Sequence, residues 1–438
     1  MTETRPPVAI ETNTSTKGTS LQAGIVWNLG SLVFLAAAGV ALNIVIGRFF
    51  GPAALGTFNI AFALYIFFSQ FAVFGLHLSI LNRATVLADQ PDKLAVVVYS
   101  GLWVCVLAAL CVTGIAIVSN TLITSFFPEV PGLAHAWGLA APGLVAFAVN
   151  KYLLAVLNGI QHMRAFAIYQ SLRFILIMTV VAVLFKLQMP GSWLALSLSL
   201  AEWVLLVFLF TYVLRQTRGR VDRDQIGTET VKHVRFGTKV MPAGLVSELN
   251  TRVDVLVIGA LMNDKAAGIY SIAALIFEAA IQAVMVLRNN INPRLGRDLA
   301  ADRRDEILRF SRLVMLVLTP VLAVAGAAIW WLFPMIAPWL FPGSGFDEAL
   351  YPLGWLMLAL PLCGASLCYS LVLSLAGLPL WQSVQMVVAL LVSVVLCVLL
   401  IPIYGISGAA MAMGASTIVT GFLGVVLVRK LLGVRLFF

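Results

Sequence analysis

The chain has 438 residues, 61% of them hydrophobic and only 11% charged, with a mean hydropathy of +1.00 and a formal net charge of +9. A water-facing surface cannot be built from that composition, so a soluble globular domain is excluded. The positive charge sits in short loops and reads as membrane topology and attraction to anionic lipid, which leaves nucleic-acid binding without support.

Residues 1–20 are polar and Thr-rich with Pro6 and Pro7, which predicts a disordered cytoplasmic tail and not a cleavable signal peptide. From Leu21 to Leu432, apolar stretches long enough to span a bilayer recur, each needing about 20 residues. In chain order they run over 21–47, 57–81, 94–118, 134–157, 166–187 and 192–214, then 236–262, 268–290, 309–333, 350–376, 380–401 and 405–428. The mixed-charge segment 215–235 separates the two groups as a cytoplasmic linker. The pattern predicts an all-α polytopic membrane protein of about 12 transmembrane helices, each satisfying its own backbone. The Gly- and Pro-rich boundaries near Pro52, Pro242 and Pro402 read as exits or kinks.

Lys and Arg distribution sets the orientation. One side holds Arg5, Lys17, Arg83, Lys93 and Arg164, six cations over Arg215–Arg235, five from Arg294 to Arg309 and three from Arg429 to Arg435. The other holds only Arg48, Lys186 and Lys265, so both termini are expected to be cytoplasmic. Cys105, Cys111, Cys363, Cys368 and Cys397 all fall inside apolar spans without CxxC spacing and read as small packing residues.

An internal repeat is visible at an offset of 212 residues. IVIGRFFGPAALGTFNIA from Ile44 matches LVIGALMNDKAAGIYSIA from Leu256 without a gap, with seven of 18 positions identical, including Gly47 with Gly259 and Gly56 with Gly268. The same offset pairs Gln170 and Ser171 with Gln382 and Ser383, and Pro190 with Pro402. Six spans per unit give both copies the same orientation, related by an axis along the membrane normal. The expectation is an N-terminal lobe over 21–214 and a C-terminal lobe over 236–438, two parallel six-helix repeats around a central cavity.

Charges within the spans are the candidate functional groups, because each costs about 2.5–3.5 kcal/mol at a helix centre and usually faces a cavity or a partner. They are Lys151, Arg173, Glu202, Glu248, Arg252, Asp254 and Glu278, with Arg48, Lys239, Arg288 and Arg312 nearer span ends. Glu248 and Arg252, four apart, suit either a salt bridge on one helix face or separate roles. Asp254 lies off that stripe, with Asn250 four residues before it, and is expected in a separate hydrogen-bond network. Glu278, Gln282 and Asn289 share one face, as do Asn59, Gln70 and His77, consistent with either a lined cavity or hydrogen bonding between helices. Lys151 and Arg173 have no acidic residue within four positions, and their repeat counterparts are Cys363 and Gln385, so the duplicated fold does not demand them. A cavity for an anion is the favoured reading, since a guanidinium fork matches phosphate. For Arg48 and Arg288, snorkelling to a headgroup is the simpler alternative.

Three segments carry a family resemblance: GRFFGPAALGTFNIA after the first span, NTRVDVLVIGALMNDKAAGIYSIA across the seventh and eighth, and LCVLLIPIYGISGAAMAMGAS across the last two. Over nearly the whole chain the sequence resembles the polysaccharide transporter branch of the multidrug, oligosaccharidyl-lipid and polysaccharide exporter superfamily, the lipid-linked oligosaccharide flippases. The resemblance implies a two-lobed carrier that moves an undecaprenyl-diphosphate-linked oligosaccharide to the outer leaflet of a bacterial cytoplasmic membrane by alternating access, for cell-surface polysaccharide biosynthesis. It implies Arg48, in the family's Arg-x-x-Gly-Pro element, as a substrate-binding residue. Lys151, Arg173 and Arg252 join it by the logic of the cavity. Relatives in this superfamily use proton or sodium gradients, which makes Glu248, Asp254 and Glu278 the ion-coupling candidates. Partners would be the lipid-linked oligosaccharide, membrane lipid and polysaccharide polymerase machinery.

The competing readings are a cation-coupled multidrug extruder, an intramembrane polysaccharide polymerase or ligase, and a non-transporting scaffold. An extruder of cationic drugs would want an acidic, aromatic cavity. Polymerases typically carry a large outer loop with catalytic Arg or His, and the longest outer segment here, about 334–349, has neither. No GxxxxGK[ST] loop, HExxH, GxSxG or paired Cys/His spacing occurs, so no cofactor, metal or enzymatic activity is expected.

Overall fold

A computed structural model describes residues 21–437, and the predicted tail at 1–20 lies outside them. The described residues form helices and connecting turns with no strand. By length and apolarity nine helices can cross a membrane, and the bent pair Leu133–Ala140 and Gly143–Gly159, inclined by 45°, makes a tenth.

The first of the nine is two spans. The helix drawn as Leu21–Val73 is interrupted at Gly51, whose φ of 82° lies in the left-handed region open to glycine. Asn59 donates to the Asn43 side chain at 3.1 Å, although 16 residues of continuous helix would separate them by about 24 Å. The chain therefore folds back at Gly51, with Pro52 opening the second helix where its missing N–H costs nothing.

The remaining span is Arg223–Asn250 continued by Val253–Leu261, which is too polar to register by hydropathy. The twelve spans are numbered α1 (21–50), α2 (52–73, continued by Leu76–Leu87), α3 (Pro91–Val118), α4 (the bent pair), α5 (Met163–Lys186) and α6 (Leu196–Gln216). The second six are α7 (Arg223–Asn250 and Val253–Leu261), α8 (Asp264–Ala300), α9 (Arg304–Leu340), α10 (Leu350–Leu367), α11 (Pro379–Tyr404) and α12 (Ile406–Leu432). The turns near residues 88–90, 160–162, 217–222 and 301–303 share the face that bears the basic loops, here the basic face. The turns at Gly51, Met262–Asn263 and Gly405 lie on the far face.

The repeat is realised in three dimensions. Asp264 opens α8 at the position where Pro52 opens α2, 212 residues earlier. The two helices cross there with their backbones touching. A Cβ on Gly56 would fall on the Asp264 carbonyl and 2.8 Å from the Gly268 nitrogen. A Cβ on Gly268 would fall on the Pro52 carbonyl and 2.9 Å from the Gly56 nitrogen. Equivalent residues thus make reciprocal contacts, the mark of a two-fold axis, and small residues permit the close approach without a hydrophobic drive between helices.

The repeats meet on both halves. One apolar cluster runs through both repeats from Leu55 and Ile60 to Tyr270 and Leu353, whereas a second, around Leu76, Tyr152 and Leu157, is confined to the basic half of the first repeat. On the basic half the first part of α7 lies against α2, α3 and α11, and it packs closely enough that a Cβ on Gly237 would meet the Phe74 carbonyl of the first repeat.

Candidate functional site

The break in α7 organises the space between the repeats. Its first part stops at Asn250, and Thr251 closes it with a hydroxyl bond of 2.8 Å and a backbone bond of 3.2 Å to the Glu248 carbonyl. Arg252, at φ −135°, precedes the new helix starting at Val253. The i,i+4 register is lost across this break, and among the described residues Glu248 and Arg252 form no ion pair. The alternative of a salt bridge on one helix face is therefore not realised, and the two residues line different cavities. Non-helical backbone at membrane depth is tolerated where it borders such a cavity.

The upper cavity is a small polar recess between α1, α2, α7 and α8, lined by Asn43, Asn59, Arg252, Asp254, Ser271 and Glu278. Asp254 is buried in the first turn after the break, where a helix N-terminus favours negative charge. It accepts from the Val255 amide at 2.8 Å and the Tyr270 hydroxyl at 2.5 Å, the separate network expected of it, while Asn250 turns instead to the Met386 carbonyl at 3.1 Å. The Arg252 guanidinium lies 5.2 Å from the centre of the Phe62 ring. Glu278 has no hydrogen bond or ion pair among the described residues, and Arg252 is the only cation in the lining it shares.

Toward the basic face a second cavity, larger than the first, lies between α2, α4 and α7. Its polar lining is Gln70, His77, Lys151, Ser247 and Glu248, with Lys151 and Glu248 its two opposite charges. The stripe Asn59, Gln70 and His77 on α2 thus faces both cavities in turn, and on α8 it is Glu278 that reaches the cavity, while Gln282 and Asn289 are exposed.

Two of the predicted cations lie elsewhere. Arg173 is not unpaired: its Nε lies 2.6 Å from Glu202 of α6, and a terminal nitrogen donates to the same carboxylate at 3.3 Å. Asn150 completes the pair by donating to Glu202 at 2.8 Å, and the guanidinium rests 4.9 Å from the centre of the Phe147 ring. The partner is 29 residues away on the next helix, beyond any local pattern. Arg48 is exposed at the far rim of α1 and lines neither cavity; it donates to the Trp339 carbonyl at 3.1 Å, tying the first repeat to the end of α9. Three contributors escaped the sequence reading: Asn43, which pairs with Asn59; Tyr270, which holds Asp254; and Phe62, beneath Arg252. Only Asn43 could have been found, as an amide within an apolar span facing the Gly51 turn.

A family model described as "Polysaccharide biosynthesis protein" matches residues 45–338. The chain belongs to that family. No match is found among curated proteins. Among solved structures the chain is similar to the lipid II flippase MurJ in an inward closed conformation, with a TM-score of 0.72 and 14% identity, covering 92% of this chain and 87% of that one. It is also similar to an inward-facing multidrug resistance MATE family transporter of the MOP superfamily, with a TM-score of 0.69 and 12% identity over 91% and 94% of the two chains. The outward-facing structure of a MATE family transporter gives 0.64 at 14% identity over 95% and 98%. The twelve-span, two-lobed exporter fold expected from the motifs is therefore the fold of this chain.

Proposed function

We propose that the protein is a flippase that moves an undecaprenyl-diphosphate-linked oligosaccharide across the bacterial cytoplasmic membrane by alternating access, with its basic face and both termini in the cytoplasm. The observation that carries this reading is the placement of Lys151 and Arg252. Each lines one of two consecutive cavities between repeats, and neither holds an ion pair among the described residues. Two cations between the repeats suit a diphosphate entering from the basic side, while the far side is held by Gly56 against Gly268 and by Arg48 on Trp339. The family description, polysaccharide biosynthesis, supports the same cargo class. Arg48 serves this state as a far-face latch and meets cargo only once that face opens. Arg173, committed to Glu202, is structural.

Glu278 is the leading coupling group, because Asp254 already accepts two hydrogen bonds and Glu248 lies beyond the break. A charge crossing the whole membrane potential gains about 2.3 kcal/mol per 100 mV. The test is flipping of a fluorescent undecaprenyl-diphosphate oligosaccharide in proteoliposomes, read by an impermeant quencher. Lys151→Ala and Arg252→Ala are each expected to slow it at least tenfold while the protein melts as wild type. A double variant that flips at the full rate would remove the reading. Extrusion of cationic compounds is the second reading, favoured by Asp254, Glu278 and Phe62 around one cavity; efflux of a cationic dye that depends on Glu278, without flipping, would establish it instead.

A further inference from the structure

The charges that the path can offer are few, and their signs restrict the cargo beyond its diphosphate. Across both cavities the lining holds two cations, Lys151 and Arg252, and three carboxylates, Glu248, Asp254 and Glu278. Arg173 lines neither cavity and its charge is offset by Glu202, which contacts Nε and one terminal nitrogen, and Arg48 sits outside on the far rim. A diphosphate diester carries two negative charges, which these two cations match in number.

What remains for the sugar is acidic or neutral. The Glu248 carboxylate has no hydrogen bond among the described residues, Gln70 spends its amide N–H groups on the Ile66 carbonyl and the Ser69 hydroxyl, and His77, Ser247 and the Asn43–Asn59 pair supply neutral polar groups. Such a lining accepts hydrogen bonds from hydroxyl, amide and ammonium groups. A sugar carboxylate would face Glu248 or Glu278 with no cation left to offset it, a like-charge contact in a poorly hydrated space.

We propose that the oligosaccharide carried by this chain is neutral or amino-bearing, and that uronic acids and other acidic sugars are rejected by Glu248 and Glu278. This rests on the flippase reading, and it inverts the expectation of a strongly cationic cavity that the sequence raises. The test compares two probes in proteoliposomes, polyprenyl-diphosphate-N-acetylglucosamine and polyprenyl-diphosphate-glucuronic acid. The wild-type protein is expected to flip the first at least tenfold faster. Glu248→Gln is expected to narrow the gap to less than threefold, chiefly by raising the glucuronic acid rate. Binding of the same probes in detergent reads the same ratio without a gradient, so a variant that loses coupling still reports selectivity. Equal or faster handling of glucuronic acid by the wild type overturns the proposal and leaves the flippase reading standing. A tenfold preference that Glu248→Gln and Glu278→Gln both leave intact overturns the assigned cause. Failure to flip or bind either probe overturns the flippase reading, and this proposal with it.

Discussion

The crossing of α2 and α8 at Gly56 and Gly268 predicts a specific response to a single methyl group. In Gly56→Ala the new Cβ meets the Asp264 carbonyl and lies 2.8 Å from the Gly268 nitrogen, and both of these neighbours are backbone. Neither can rotate away, so relief comes from separating the helices by roughly 1.5–2 Å, since carbon contacts settle at about 3.5–4.0 Å. Overpacking of this kind costs about 1–3 kcal/mol. The cost is paid only while the far face is closed, so the closed-to-open ratio should fall by about 5- to 150-fold. Because Gly268→Ala demands the same separation through the reciprocal contact, the double variant should cost less than the sum of the two. Oxidative cross-linking of Thr57→Cys with Lys265→Cys in membranes, alongside melting in detergent, reads both quantities. The expected result is weaker cross-linking and a lower melting temperature for each single variant, with a double variant near the worse single one. Unchanged cross-linking and melting in both single variants would show that the helices do not touch here.

Breaking the buried Arg173–Glu202 pair with Glu202→Gln or Arg173→Met should cost about 3–5 kcal/mol, because one charge is left uncompensated, while a paired Arg173→Met/Glu202→Leu replacement should regain most of it in melting experiments. Arg48→Ala, at an exposed site with one backbone bond, should leave melting within about 0.5 kcal/mol of wild type and shift only the rate of flipping. His233, in the linker portion of α7 ahead of the apolar stretch, is buried, with one ring nitrogen 2.9 Å from the Ser79 hydroxyl and the other 3.0 Å from the Val97 carbonyl. Burial, joined by nearby Arg83, pulls its pKa down to about 4 against the Val97 bond and Glu229, which act the other way. The unfolded chain therefore binds the proton first, and stability is lost as pH falls from about 6.5 towards 4, by at most about 3 kcal/mol. Melting at pH 7.5 and 5 should show this loss in the wild type and not in His233→Gln. Glu278→Gln should abolish the gradient dependence of flipping in proteoliposomes; full retention of it would remove Glu278 as the coupling group.

The spans were legible because apolar length is a signal that needs no partner, and the repeat was legible because two copies of one register can be compared within a single chain. The boundary near Pro52 read as either an exit or a kink, and the structure resolves it as a fold-back at Gly51, with Pro52 and Asp264 opening equivalent helices. Helix breaks were less well marked. Pro242 and Pro402 both lie inside continuous helices, whereas the break that matters, at Asn250–Arg252, contains neither Pro nor Gly and is held by the Thr251 cap. Charge pairing was least legible of all. A four-residue window sees partners on one helix face, but Arg173 finds Glu202 through the packing of α5 on α6, and Glu248 loses Arg252 through a change of helix direction.

These two arrangements act in opposite senses on the same site. Pairing Arg173 with Glu202 withdraws a cation from the path, and parting Glu248 from Arg252 releases one carboxylate and one guanidinium into separate cavities. Lys151 and Arg252 thereby become the only cations in the lining, each within a cavity that also holds an acid. An anion bound to Arg252 competes with Glu278 for that charge, so protonating Glu278 should strengthen anion binding and Glu278→Gln should fix it in the strong state at every pH. On the proposed function, Glu278 and Arg252 are two ends of one electrostatic balance, and the α7 break sets Arg252 in the upper cavity and Glu248 in the lower.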